Sequence, residues 1–146
     1  STKSESASQQ PKQTQSAYAD EKQQDEQAVD GSVTFHGMKY SLEKQSDGKT
    51  AVVRTSDSGT KSVLFEVEGT PTSLILFNDT ILVPENRDSG WDVVACALVD
   101  GSLPTLIADK DGKAVGGNGT ITAATLDGTT LKVTDSTENT TSVALQ

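Results

Sequence analysis

The residue types that most often carry chemistry are scarce in this chain and are not grouped along it. The 146-residue sequence has one histidine, His36, and one cysteine, Cys96. A catalytic histidine needs a nucleophile or a carboxylate aimed at it, and one cysteine with one histidine makes no tetrahedral metal site. His36 precedes a Gly, and Cys96 lies in the apolar stretch VVACAL. We therefore expect an exposed turn histidine, a buried core cysteine and no catalytic residue.

Two short motifs resemble functional sequences but lack the rest of the pattern. Ser-x-x-Lys tetrads begin at Ser41, Ser46 and Ser58, without the Ser-Asp-Asn and Lys-Thr-Gly motifs that accompany them in penicillin-recognising enzymes. The stretch DKDGK at 109–113 begins like a calcium loop, but Thr120 stands where such a loop has its Glu. The sequence therefore predicts no metal, no cofactor and no enzymatic activity.

Two aromatic residues are candidates for contact with a partner. Trp91 follows a Gly at the start of a strand-like segment, and Tyr40 lies in the alternating segment MKYSLE. An exposed Trp or Tyr is a frequent anchor of a binding surface, whereas a buried one packs in the core. Both interpretations stay open, with Trp91 and Tyr40 as the possible partner-binding residues.

Composition divides the chain into a polar tail and a folded domain. Residues 1–30 are rich in Gln, Ser and acidic residues, and their few apolar side chains cannot offset the entropy of ordering them. We expect a disordered stalk over 1–30 and one domain over 31–146. Net charges of −3 and −6 on these two parts make up the total of −9, which argues against nucleic acid and anionic lipid as partners. No stretch approaches 18 apolar residues, the length expected of a membrane span.

Regularly spaced turns predict an all-β domain. Gly residues fall at 37, 48, 59, 69, 90, 101 and 112, most of them in Asp-Gly or Ser-Gly pairs that suit hairpin turns. The segments between them are rich in β-branched residues, and several alternate between apolar and polar. Strands at this spacing are typical of an antiparallel all-β domain. We expect about 10–11 short strands in a meander.

An internal repeat organises these strands. The offset that takes Phe35 to Phe77 also takes Glu43 to Glu85 and Gly48 to Gly90, and we call it the repeat offset. Because a turn recurs about every ten or eleven residues, one repeat holds four strands. We expect four-stranded units at about 33–74 and 75–116 and a degenerate remainder at 117–146.

This pattern resembles the blade repeats of β-propeller domains in bacterial cell-envelope lipoproteins, whose period is about 40–45 residues with four strands. A closed propeller needs more blades than this length holds. We therefore expect a sandwich or flattened barrel built from blade-like meanders, with completion of a ring by several copies as the second possibility. We expect a monomer rather than such an oligomer.

The polar start of the chain resembles a mature bacterial lipoprotein just after its lipidated cysteine. That resemblance implies an extracellular or envelope location and a membrane link solely through a lipid anchor upstream of Ser1. We expect a non-enzymatic binding module for a protein or a glycan. The alternative is a small-ligand carrier with a β-barrel cavity.

Overall fold

The computed structural model describes residues 26–28 and 30–145, and within them it contains fourteen β-strands and no helix. The first sheet is an antiparallel meander whose strands are neighbours in chain order. They are β1 (Glu26–Gln27), β2 (Val33–Phe35), β3 (Met38–Lys44), β4 (Thr50–Thr55) and β5 (Lys61–Val67).

The middle sheet is built around one long hairpin of β8 and β9. Its strands are β6 (Thr70–Pro71), β7 (Ile75–Phe77), β8 (Thr80–Arg87), β9 (Gly90–Ala97), β10 (Thr105–Leu106) and β11 (Gly116–Gly117). The short strands β6 and β7 both pair with β8, and β10 and β11 both pair with β9. A third sheet follows as a meander of β12 (Ile121–Asp127), β13 (Thr130–Asp135) and β14 (Thr140–Ala144).

The repeat offset is visible in the strand positions and in the turns. It separates the start of β2 at Val33 from that of β7 at Ile75, and it likewise separates the starts of β3 and β8. The same offset relates His36 to Asn78, and both adopt left-handed backbone conformations, with φ of 51° and 54°. The fourth strand breaks the match, because β5 has seven residues and β10 has two. The two units therefore share three strands and their first turn.

The three sheets form two apolar layers, and the middle sheet contributes to both. Towards the first sheet it presents Ile81, Val83 and Cys96, and towards the third sheet it presents Leu82 and Trp91. Adjacent residues of a strand point to opposite faces, so a strand buried on both faces needs a continuous apolar run. The run ILV at 81–83 meets that requirement.

The two outermost faces are mainly polar. On β3, Tyr40 and Leu42 pack inward, which directs the alternate residues Lys39, Ser41 and Glu43 outward. On the third sheet, Thr125, Lys132 and Ser142 form one cross-strand row on the face opposite its core residues. Neither outer face therefore requires a further sheet to cover it.

The expected fold class is confirmed. The domain is an antiparallel all-β structure whose sheets stack as in a sandwich, and none of the three sheets in the described part closes into a barrel. The strand count exceeds the expected 10–11, because four strands have two residues each. Most of the expected stalk, residues 1–25 and 29, lies outside the described residues. Its end differs from the expectation, since Glu26 and Gln27 pair with β2.

Candidate functional site

Both aromatic candidates lie in the core. Trp91 is 3% exposed, packs between the middle and third sheets, and donates a hydrogen bond from Nε1 to Oδ2 of Asp135 at 3.3 Å. Tyr40 is 4% exposed and packs between the first and middle sheets. A partner would reach neither ring face without separating the sheets. Of the two interpretations, core packing therefore describes both Trp91 and Tyr40.

Tyr40 nevertheless borders a surface cavity. A cavity of about 210 Å³ lies between the first sheet and the segment that follows β9. Burial raises the pKa of the Tyr40 hydroxyl, and the positive charge of Arg54 and a hydrogen bond with it oppose this rise. Arg54 has no ion pair with a carboxylate of the described chain. The cavity is lined by Tyr40, Arg54, Leu64, Ala97, Leu98, Val99, Asp100, Gly101 and Ser102.

The single histidine and the single cysteine lie where the sequence predicts. His36 is exposed at the turn between β2 and β3, where its ring stacks on Phe35 with centroids 3.9 Å apart. Cys96 is 2% exposed in the core, and burial raises the pKa of its thiol. A thiol with a raised pKa is a poor nucleophile at neutral pH.

The Asp109 loop has the hydrogen bonds of a turn. Oδ1 of Asp109 accepts the backbone N–H groups of Asp111 and Lys113, which lowers the pKa of this carboxyl group. In the part of the chain that the structure describes, no group of three His, Cys, Asp or Glu residues is placed to hold a metal ion.

The strongest electrostatic feature is one that the sequence analysis does not identify. Glu85 on β8 and Asp92 on β9 are directly opposite each other and face the first sheet. Glu85 is 1% exposed. Nη1 of Arg87 lies 3.3 Å from Oε2 of Glu85 and 3.4 Å from Oδ2 of Asp92, and Nη2 lies 3.5 Å from Oε1 of Glu68. We refer to these four residues, Glu68, Glu85, Arg87 and Asp92, as the carboxylate cluster.

Gly69 brings the first sheet against this cluster. Its backbone N–H donates to Oε1 of Glu85 at 2.8 Å. A methyl group at Gly69 would lie 2.5 Å from the backbone oxygen of Asn86 and 2.7 Å from Cδ of Arg87. The close approach therefore requires a residue without a side chain, and it fixes the link between β5 and β6 onto β8.

The carboxyl group of Asp92 has a strongly raised pKa. Burial, then a hydrogen bond with Glu85 and the charge of Glu85, raise the pKa of Asp92 to about 7, although Arg87 acts in the opposite direction. The charges of Glu85, Asp92 and Glu68 in turn raise the pKa of Arg87. Oδ1 of Asp92 is buried without a hydrogen-bond partner. Near neutral pH, Asp92 is therefore close to its pKa, while Arg87 stays charged.

The arrangement suits cohesion between the sheets better than acid–base catalysis. A catalytic carboxylate must have an oxygen free to contact a substrate. Here Glu85 accepts hydrogen bonds at both oxygens, from Gly69 and Arg87, and Asp92 contacts the same Arg87 through Oδ2. The other oxygen of Asp92, Oδ1, has no partner but is buried, so it does not face a substrate. The cluster joins three segments of chain, namely the link after β5 and the facing strands β8 and β9.

Cavities lie on both sides of the Arg87–Glu68 ion pair. One, of about 210 Å³, has acidic and apolar walls and is lined by Glu66, Glu68, Glu85, Arg87, Val94, Pro104, Thr105 and Leu106. The other, of about 770 Å³, also includes Glu68 and Arg87 but is lined mostly by polar and charged residues, among them Lys44, Lys49 and Asp88.

The first of these cavities and the cavity beside Tyr40 both lie between β5 and the segment 94–106. Leu64 of β5 lines the cavity beside Tyr40, and Glu66 and Glu68 line the acidic one. We call this pair of cavities the edge groove. The sequence does not predict this groove, because the groove exists only where β5 is the last strand of its sheet.

Exposed apolar side chains occur on the two segments that border this groove, and two of them, Val99 and Leu106, line it. Within the described residues, the exposed large apolar side chains are all on β5 or on the segment 99–106. They are Val63 (53% exposed), Val99 (57%), Leu103 (78%) and Leu106 (46%).

Comparisons with protein-family models, with curated proteins and with solved structures found no match to this chain. Among the described residues, no helix has the length and apolar character needed to cross a membrane. Functional inference therefore rests on the geometry of the edge groove and of the carboxylate cluster.

Proposed function

We propose that this chain is a non-enzymatic binding module that recognises its partner through the edge groove. One observation carries the proposal: the exposed large apolar side chains of the described residues are confined to β5 and 99–106. Exposed apolar side chains that cluster, rather than scatter singly, mark interaction sites on soluble proteins. A protein partner suits these aliphatic side chains better than a glycan does.

The polar outer faces support a monomeric module. Completion of a ring by further copies would bury Lys39, Ser41 and Glu43 of one chain against the third sheet of the next. The Lys132–Asp127 ion pair, with an N–O distance of 3.3 Å, is exposed there. Burying these charges without matching partners would cost several kcal/mol.

The alternative, a small-ligand carrier, has less support from the geometry. A carrier of this type needs an enclosed, mostly apolar cavity of several hundred Å³. One cavity among the described residues has that size, about 770 Å³, and it is bordered by Lys44, Lys49, Arg87 and Asp88. Its charged lining suits solvent or a polar surface better than an apolar ligand.

An envelope location is part of the proposal. It is supported by the polar composition of residues 1–30 and by the resemblance of the internal repeat to propeller blades of envelope lipoproteins. The roughly twenty-five residues before β1, in a coil conformation, would give the domain a mean reach of roughly 25–30 Å from an anchor.

The test compares partner capture by surface variants. The parent chain, the double variant Leu103→Ser/Leu106→Ser and the control Lys132→Ser are immobilised and incubated with an envelope extract of the source cells. We expect a protein that the parent and the control retain and the double variant loses, with all three giving the same circular dichroism spectrum. Retention that is equal for the three variants, or the absence of any retained protein, would overturn the proposal.

A further inference from the structure

We propose that the edge groove binds an extended peptide segment whose carboxylate faces Arg54 and whose basic side chain faces Glu66 and Glu68. This inference rests on the proposed binding function and names the class of partner. It follows from three features of the groove: an edge strand, a positive end and a negative end.

The edge strand offers a template for the backbone of the peptide. In the described chain β5 pairs with β4 and with no other strand, so one side of this seven-residue strand lacks a neighbour. Such an edge presents unpaired N–H and C=O groups that an added strand can bond. A bulge opposite Val52 and Val53 interrupts the pairing, and Lys61 lies at the start of the strand. Both features disfavour the pairing of β5 with any exposed strand of another protein. Selection of the partner therefore depends on the side chains of the groove.

The positive end lies at the cavity beside Tyr40. Arg54 is half-buried there and lines the cavity together with Tyr40, and it has no ion pair with a carboxylate of the described residues. An unpaired, partly buried guanidinium is a strong donor to a carboxylate, which it can bind through two N–H groups. Leu98 and Val99 form an apolar wall for a neighbouring aliphatic side chain. Asp100 also lines this cavity and would weaken the attraction.

The negative end lies at the cavity beside the carboxylate cluster. Glu66 is exposed and has no ion pair within the described chain, and Glu68 is 80% exposed with one contact of 3.5 Å to Arg87. The opposite wall is apolar, formed by Val94, Pro104 and Leu106. A lysine places its methylene groups on an apolar wall and its ammonium beside a carboxylate, so this lining suits a lysine side chain.

The two ends are separated by a distance that an extended chain spans in a few residues. Leu64 lines the positive end, and Glu66 and Glu68, two and four residues further on, line the negative end. Two to four steps along a strand cover roughly 7–13 Å. We place the lysine opposite Glu68, about four residues from the carboxylate.

The experiment uses synthetic peptides and the full chain. The test peptide is N-acetylated Lys-Thr-Val-Thr-Leu with a free C-terminal carboxylate. A second peptide, Lys-Thr-Val-Thr-Glu amide, carries the carboxylate on a side chain instead. Two controls are the amide of the first peptide, which lacks the carboxylate, and Glu-Thr-Val-Thr-Leu acid, which lacks the cation. Binding is followed by titration calorimetry and by the amide NMR shifts of residues 61–67.

We expect the test peptide to bind at least about tenfold more tightly than either control, which corresponds to ~1.4 kcal/mol. If a side-chain carboxylate serves as well as a C-terminal one, the second peptide should bind as tightly as the test peptide. If a C-terminal carboxylate is required, the second peptide should bind as weakly as the controls. Arg54→Gln removes the preference for the carboxylate, Glu66→Gln/Glu68→Gln removes the preference for lysine, and Asp100→Asn strengthens binding. Lys132→Gln, on the third sheet, leaves binding unchanged, and NMR spectra verify that each variant is folded.

Absence of binding at millimolar peptide, or binding that ignores both charges, would overturn the inference. If the peptides fail while partner capture still depends on Leu103 and Leu106, the binding module stands and the peptide class is wrong. If both fail, the proposed function is wrong as well.

Discussion

Glu85 and Asp92 lie directly opposite each other on β8 and β9, and one nitrogen of Arg87 contacts a carboxylate oxygen of each, at 3.3 and 3.4 Å. The pair is at the end of the apolar layer between the first and middle sheets. Protonation of Asp92 near neutral pH therefore changes the charge of the contact that joins these sheets.

The stability of the fold should depend on pH through Asp92. Its pKa is about 7 in the folded chain and close to the ordinary value of 3.8 when unfolded. Between these values the folded chain holds a proton that the unfolded chain has released, so the free energy of unfolding falls as pH rises from about 4 to about 7. Urea unfolding at several pH values should show this slope in the parent and a weaker slope in Asp92→Asn.

The control for this measurement is Asp88→Asn, which removes an exposed carboxylate from the same hairpin. It should retain the slope of the parent. The lowered pKa values of Asp30, Asp109 and Asp135 act in the other direction, since they stabilise the fold above about pH 4 and lose this effect as pH falls through their folded values. An unchanged slope between pH 5 and 7 in Asp92→Asn would contradict the assignment.

Replacement of Gly69 should destabilise the fold through lack of space. Gly69→Ala places a methyl group 2.5 Å from the backbone oxygen of Asn86, and we expect a loss of about 2 kcal/mol or more. Gly59→Asn is the matched control. Gly59 has φ of 86° and open space around it, and Asn tolerates that conformation, so its cost should stay below about 1 kcal/mol. Thermal unfolding compares the two variants, and equal losses would contradict the space argument.

The Trp91–Asp135 hydrogen bond should couple the middle and third sheets. Trp91→Phe removes the donor, and we expect a melting temperature lower by roughly 5 °C or more, because ring volume is lost together with a charge-assisted bond. Asp135→Asn weakens the acceptor and also the turn in which Asp135 accepts the N–H of Thr137. In a double-mutant cycle the combined loss should be smaller than the sum of the single losses. Strict additivity would show that the bond contributes nothing.

The left-handed turn at Asn78 should tolerate Gly and resist β-branched residues. At φ of 54°, Val should cost about 1–2 kcal/mol, because its branched Cβ is crowded in the left-handed conformation, which the short polar side chain of Asn tolerates. Asn78→Gly should be close to neutral. The same pair of substitutions at His36, where φ is 51°, should rank in the same order, although both also lose the ring contact with Phe35. Denaturation midpoints measure the ranking, and a tolerated Val at both positions would be inconsistent with a shared turn conformation.

Turn residues made the strand pattern predictable, because Gly readily adopts the positive φ that tight hairpin turns require. Gly48 and Gly90 are equivalent in the repeat, and both have positive φ, at 88° and 126°. The fourth strand was not predictable from this spacing. The segment from Val99 to Pro104 leaves the sheet as a loop, so the apolar stretch TLIA contributes two residues to β10 where β5 has seven.

The carboxylate cluster could not be predicted from the sequence for a different reason. Glu43 and Glu85 are equivalent in the repeat and point away from the next sheet along the chain. No sheet precedes the first one in the described structure, so Glu43 is partly exposed and pairs with Lys61 at 3.0 Å. The first sheet does precede Glu85, which is therefore buried. Glu at equivalent positions of the repeat thus has two different environments, because the first and middle sheets have different neighbouring sheets.

The double coverage of the middle sheet has a consequence for synthesis on the ribosome. Leu82, Trp91 and Val93 gain their cover from Leu131, Val133 and Val143, which are translated after the whole middle sheet. Until these residues emerge, a nascent chain with two complete sheets would display a wide apolar surface. A ribosome stalled shortly before Leu131 should therefore hold a chain that binds holdase chaperones, and one stalled well beyond Val143 should hold a chain that no longer does.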